Sequence, residues 1–212
     1  MASTTFRFGF SPPIILALAA LGTPHACLAA PDQDMMIGIS INRLILAEQD
    51  MADTYGTVAI PGVTAVAAIA DHSRFVFTAG CGFAKGSPFY DVTGYEGDNE
   101  ARLKTILMQF GMQGDLSRNT RLRVYWGLSA ELARIHERLP AYAGSPDHDD
   151  FDGWGTGLRF TFGPEWRSAD AARAIGLTMG WGTVGGAVSH EGHRHEVNLS
   201  GAGLQCHVLW RM

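Results

Sequence analysis

Lysine is nearly absent from this chain: Lys85 and Lys104 are the two among 212 residues. Charged residues of all kinds make up 17%, against about 25% in an average soluble domain. The formal net charge of −5 offers no basic footprint for nucleic acid. With 46% hydrophobic residues, the chain is too apolar to be disordered. Past residue 30 it also lacks long uncharged apolar runs. The longest, Val58 to Ala70, is interrupted by Pro61-Gly62 and falls short of the ~20 residues that a membrane helix needs. Helical membrane proteins are excluded. What is abundant is glycine, 26 residues, and a glycine-rich, charge-poor chain points to β-structure.

Residues 1–30 read as a secretory signal peptide. They carry one charge, Arg7, then the apolar stretch Ile14 to Leu21, then the small-residue close Cys27-Leu28-Ala29-Ala30. Pro24, three residues before Cys27, argues against lipidation there. Cleavage after Ala29 or Ala30 moves the net charge to −6 and leaves Cys81 and Cys206 as the remaining cysteines. The domain proper is then 31–212.

The mature part alternates with period two. From Leu122 one set reads Leu122, Val124, Trp126, Leu128, Ala130, Leu132. The other reads Arg121, Arg123, Tyr125, Gly127, Ser129, Glu131. The pattern recurs from Trp154 to Phe162, Ile175 to Trp181, Ala202 to Trp210, Ile106 to Met112 and Phe75 to Phe83. Each time one face is bulky and apolar, and the other is mainly Gly, Thr, Ser, Gln or Arg. A soluble strand averages about five or six residues, whereas a membrane-crossing strand takes about nine to eleven. Glycine weakens an exposed strand, so a glycine-rich face is wasted on water. In a narrow membrane barrel the bulky face meets lipid, and small and polar residues fill the interior.

The spacing predicts eight strands, about 36–46, 58–70, 74–84, 102–114, 120–136, 153–164, 173–186 and 195–211. Short connections (Asp71 to Ser73, Asp115 to Asn119, Pro164 to Ala172) alternate with long polar ones (47–56, 85–101, 137–152, 187–194). Short periplasmic turns opposite longer external loops are a mark of outer-membrane barrels. The predicted fold is an all-β, eight-stranded antiparallel up-and-down transmembrane barrel. Cys81 and Cys206 fall on its outward face with two strands between them, so they are expected to be free thiols.

Residues 35–212 resemble, in pattern, the small eight-stranded outer-membrane barrels of the outer membrane protein A transmembrane-domain and outer membrane protein X kind. The last strand, with Leu204, Cys206, Val208 and Trp210, is the most specific part, and Arg211-Met212 overrun its aromatic end. The resemblance implies an outer-membrane location, outer-membrane lipid and lipopolysaccharide as surroundings, and recognition of the last strand by the barrel-insertion machinery. It implies a monomer.

Arg121, Arg123, Glu131 and Arg159 share the predicted inward face and form the expected interior polar network, because buried charges must be paired. Such a network reads as a structural plug or, alternatively, as a polar ion path. His190, His193 and His195 crowd the last long connection and supply residue types for a metal site. The acidic run Asp147 to Gly153 has the first half of a calcium loop, but Arg159 stands where its closing glutamate belongs. Ser189-His190-Glu191 has hydrolase residue types, yet consecutive extended residues point to opposite sides. Trp126, Trp154, Trp181 and Trp210 read as interfacial anchors. No catalytic residues and no cofactor are expected. The reading is a non-catalytic barrel with a structural or surface-interaction role through four external loops. Its rivals are a lipid A-modifying barrel enzyme, a narrow pore and a soluble periplasmic lipid-binding barrel.

Overall fold

A computed structural model describes residues 35–70, 72–86, 100–119, 121–140, 149–190 and 193–212. The predicted signal peptide, most of the 85–101 connection and half of the 137–152 connection lie outside these residues. The alternating segments form β1 (Met35–Leu46), β2 (Thr57–Ala70), β3 (Ser73–Gly86), β4 (Ala101–Arg118), β5 (Leu122–Leu139), β6 (Asp149–Arg167), β7 (Arg173–His190), β8 (His193–Asn198) and β9 (Gly201–Arg211). Consecutive strands from β1 to β7 pair antiparallel. The strand β9 pairs with β7 on one side and β1 on the other, closing the barrel. Eight staves result.

The last stave is interrupted. Asn198 folds its side chain back to accept the N–H of Ser200 through Oδ1 at 2.9 Å. This local hydrogen bond competes with the ladder and breaks the strand in two. Above the break, among the described residues, β8 pairs with β7 alone and is the edge of the sheet.

The strands outrun the predicted ones at several ends. Backbone pairing does not stop where apolar alternation stops, and even Pro164 sits in register opposite Val124. Two connections differ from expectation. The 187–194 segment is not a long loop: β7 continues to His190, which pairs with His193. The 47–56 connection contains a helix, α1 (Gln49–Tyr55), which turns Met51 and Tyr55 inward. It ends at Gly56, whose φ of 61° is a left-handed conformation that glycine adopts without steric cost.

The outward face of the middle of the barrel is an apolar belt. It includes Ile37, Ile39 and Ile41 on β1, Phe110 and Met112 on β4, Leu128 on β5, Phe160 on β6 and Met179 on β7, all exposed. A soluble barrel would bury such a face, since monomers rarely expose apolar patches beyond a few hundred Å². This belt is the surface of a membrane-spanning barrel.

Orientation follows from the ends. Met212 donates its N–H to the carbonyl of Met35, so the described N- and C-terminal residues meet at the end carrying the short turns. That end is periplasmic by the short-turn rule, and α1 and the long connections lie at the external end.

Candidate functional site

The barrel interior is built in tiers by the inward-facing parity of the strands. The external tier is an ordinary hydrophobic core: Leu44, Val58, Leu103, Ile135, Val184 and Val188 are almost wholly buried there, capped by Met51 and Tyr55 of α1. This part of the interior is more apolar than the sequence pattern suggested. The reason is visible on β5. Toward its external end the outward residues become Arg134, His136 and Arg138, while Ala133 and Ile135 face inward. Wall residues above the hydrocarbon meet water, so the pattern there reverts to that of a soluble barrel.

Below lies a polar tier. Thr64 bonds Ser40 at 3.0 Å and Thr78 at 3.1 Å. Glu131 accepts hydrogen bonds from Gln109 and, at 2.6 Å, from Arg159 Nε. The Arg159 side chain is 3% exposed and that of Glu131 is 0% exposed, so neither charge is screened by solvent. The guanidinium lies where Gly182 leaves room: a Cβ there would stand 2.8 Å from Arg159 Cζ.

The next tier is ionic. Glu165 is fully buried and receives Arg74 Nη2 at 2.6 Å, Arg167 Nε at 3.2 Å and His207 Nε2 at 3.4 Å. Arg123 pairs with Asp115. Tyr125 is packed between the two cations, with Arg74 4.9 Å and Arg123 5.5 Å from its ring centre, and its hydroxyl bonds Thr178. A small apolar cluster of Met36, Val66, Ala174 and Leu209 lies nearest the periplasmic end.

The candidate residues therefore divide. Arg123, Glu131 and Arg159 are buried, but in two separate tiers. Arg121 does not join them: it is exposed at the periplasmic turn, where its backbone N–H donates to Asn119 Oδ1. Parity gave its direction, but the strand ends one residue too soon for it to enter the barrel. Sequence reading missed Arg74, Asp115 and Glu165. Glu165 continues the inward set Arg159, Thr161, Gly163, a signal hidden by the turn assigned at Pro164.

Of the three histidines, His190 and His195 each stand 5.9 Å from the Phe151 ring, and His195 Nε2 is 3.5 Å from Glu137 Oε2. The His193 side chain lies outside the described residues. Among the described residues no three metal-ligating side chains gather. Glu137 also accepts the Tyr55 hydroxyl at 2.8 Å, tying α1 to β5. Beside it, burial and then the nearby Asp50 raise the Glu48 carboxyl above its ordinary range.

The outward face holds both cysteines, free and exposed. Trp126, Trp154, Trp181 and Trp210 are also exposed outward, as is Trp166.

No protein-family model matches this chain, and no curated protein matches it. Solved structures do. The crystal structure of Neisserial surface protein A matches with a TM-score of 0.54 at 12% identity, covering 84% of this chain and 97% of that one. The outer membrane protein OprG from Pseudomonas aeruginosa also matches with a TM-score of 0.54 at 12% identity, covering 85% and 96%. This chain has the fold of the small eight-stranded outer-membrane β-barrels.

Proposed function

We propose that this protein is a non-catalytic, non-conducting outer-membrane barrel that acts as a membrane-anchored scaffold and meets its partners through its external end. The signal peptide at 1–30 delivers it across the inner membrane. The observation that supports this reading is the stacking of plugs inside the barrel: a hydrophobic core over a polar tier over an ionic lock around Glu165. An eight-stranded barrel is just wide enough for its side chains to fill. At the periplasmic mouth the cavity beside Arg74, Asp115 and Arg123 has about 50 Å³, room for no more than a few waters.

The non-catalytic part of the reading draws on the external end. Ser189 faces outward, and His190 lies against Phe151 on the neighbouring strand. A hydrolytic triad needs the serine hydroxyl within hydrogen-bond reach of its base.

Single-channel recording in planar bilayers tests the plug. The expected result is a flat baseline across the accessible voltage range. Steady unitary conductance would overturn the scaffold reading in favour of a pore. Hydrolysis of lipid A or phospholipid by the reconstituted protein, lost in Ser189→Ala, would overturn it in favour of an enzyme.

A further inference from the structure

We propose that Lys104 and Arg134 form a site on the outer wall of the barrel for the phosphate groups of an outer-leaflet glycolipid, an inference that rests on the outer-membrane reading. Both side chains are exposed on outward-facing positions of adjacent strands. Lys104 is in register with His136, and Ile106 with Arg134, so the two cations are diagonal neighbours across the β4–β5 ladder. Diagonal cross-strand side chains of this length reach one another.

Their height on the wall is marked by their neighbours. Arg134 lies in a row between Ile106 and Trp154, at the upper limit of the apolar belt. Lys104 lies one row further out, between Phe83 and His136. An arginine there can lay its stem along apolar surface and lift its charge toward the headgroups. That border is on the external side, where headgroups of the outer leaflet stand.

The other basic side chains of the region already have partners. Lys85 and Arg102 pair with Glu100 at 2.8 and 3.1 Å. His136 Nδ1 stands 3.2 Å from Asp152, and Arg138 Nε stands 3.9 Å from Asp150. Lys104 and Arg134 have no hydrogen-bond or ion-pair partner among the described residues. They meet at an open cleft of about 540 Å³ whose walls include Phe83, Ile106, His136 and Asp152. An unpaired charge beside hydrocarbon is costly, and these two lie at the depth of lipid phosphates, which are anionic acceptors suited to both. The apolar floor of Phe83 and Ile106 suits the first methylenes of an acyl chain. A free phosphate ion would use the cations but not that floor.

The test uses the protein refolded into phosphatidylcholine vesicles that contain dansyl-labelled diphosphoryl lipid A. Energy transfer from the protein's tryptophans reports the bound lipid, and unheated gels report folding. Expected is saturable transfer, displaced by unlabelled diphosphoryl lipid A and not by its dephosphorylated form. Lys104→Gln/Arg134→Gln should weaken binding about thirtyfold, at about fivefold for each cation near an anionic surface. Arg43→Gln/Arg121→Gln removes the same charge from exposed positions elsewhere, on β1 and at the periplasmic turn before β5, and should leave binding unchanged. Equal weakening by both pairs would overturn the site in favour of general charge attraction. Displacement by inorganic phosphate at comparable concentration would overturn its assignment to a lipid. A protein that folds, shown by its gel shift, and gives no transfer would overturn the inference alone. A protein that never acquires the folded band in vesicles would overturn the membrane reading with it.

Discussion

The imidazole of His207 on β9 occupies the space in which a side chain on Gly176 of β7 would begin. A Cβ built on Gly176 falls within contact of three atoms of the ring. The absence of a side chain on one strand thus seats the histidine of the next, and the histidine faces Glu165 at 3.4 Å.

Gly176→Ala should therefore push the ring off Glu165 and disturb the ionic tier. Overpacking of this kind costs about 1–3 kcal/mol. Urea unfolding in detergent micelles measures it. A Gly176→Ala/His207→Ala double variant should recover part of the loss, because the clash is removed even though the contact with Glu165 is not restored.

The Arg159–Glu131 pair predicts a different asymmetry. Removing one partner, as in Arg159→Met, leaves a buried carboxylate without its cation and should cost about 3–5 kcal/mol. Replacing both, as in Arg159→Met/Glu131→Met, should cost much less, since two apolar side chains leave no uncompensated charge. A double variant as unstable as the single one would mean that the pair is needed for more than charge balance.

Leu128 and Ser129 are adjacent on β5 and point opposite ways, Leu128 exposed to lipid and Ser129 half-buried beneath the Arg159 carbonyl at 3.4 Å. Leu128→Arg places a charge in the apolar belt and should cost about 2–4 kcal/mol in vesicles. Ser129→Leu should cost about 1–3 kcal/mol by crowding the interior. In a soluble barrel Ser129 would face water, and the same change would stay within about 0.5 kcal/mol. Unfolding midpoints of the two variants decide between these environments.

The raised Glu48 carboxyl makes stability depend on pH. The folded state holds this proton more tightly than the unfolded chain does. Its stabilising contribution is thus complete below the unfolded pKa and is lost as pH rises through the folded one. Glu48→Gln should flatten this part of the pH profile and slightly favour the fold at neutral pH. A profile unchanged by the substitution would place the titration elsewhere.

The strands of this barrel were legible because their physics is local. Lipid on one side and a packed interior on the other impose strict alternation, as in Leu128–Ser129 and Trp210–Leu209. The partners of Glu131 and Glu165 were not legible to the same degree, because they come from other strands through registers that alternation does not set. Glu165 was hidden by Pro164, which reads as a turn residue but here lies within β6. The helix Gln49–Tyr55 left too faint a trace, since just two of its seven residues are buried. The break between β8 and β9 coincides with the hydrogen bonds that Ser200 donates to Asn198 Oδ1 from its N–H and its hydroxyl, a signal of two residues within a stretch that otherwise reads as one strand.

That break also acts as a depth gauge. From Leu46–Gly201 toward the periplasm, every stave has a hydrogen-bonded neighbour on both sides, whereas above that rung β8 has no strand on its second flank among the described residues. Acyl chains offer nothing for the peptide groups of that flank to bond, so the hydrocarbon cannot rise past Gly201 on this side of the wall. The seam thereby fixes how deep the molecule sits, independently of any aromatic anchor. Among the described residues it also leaves a strand of six residues paired on one side, an edge to which another chain can add by backbone hydrogen bonds alone.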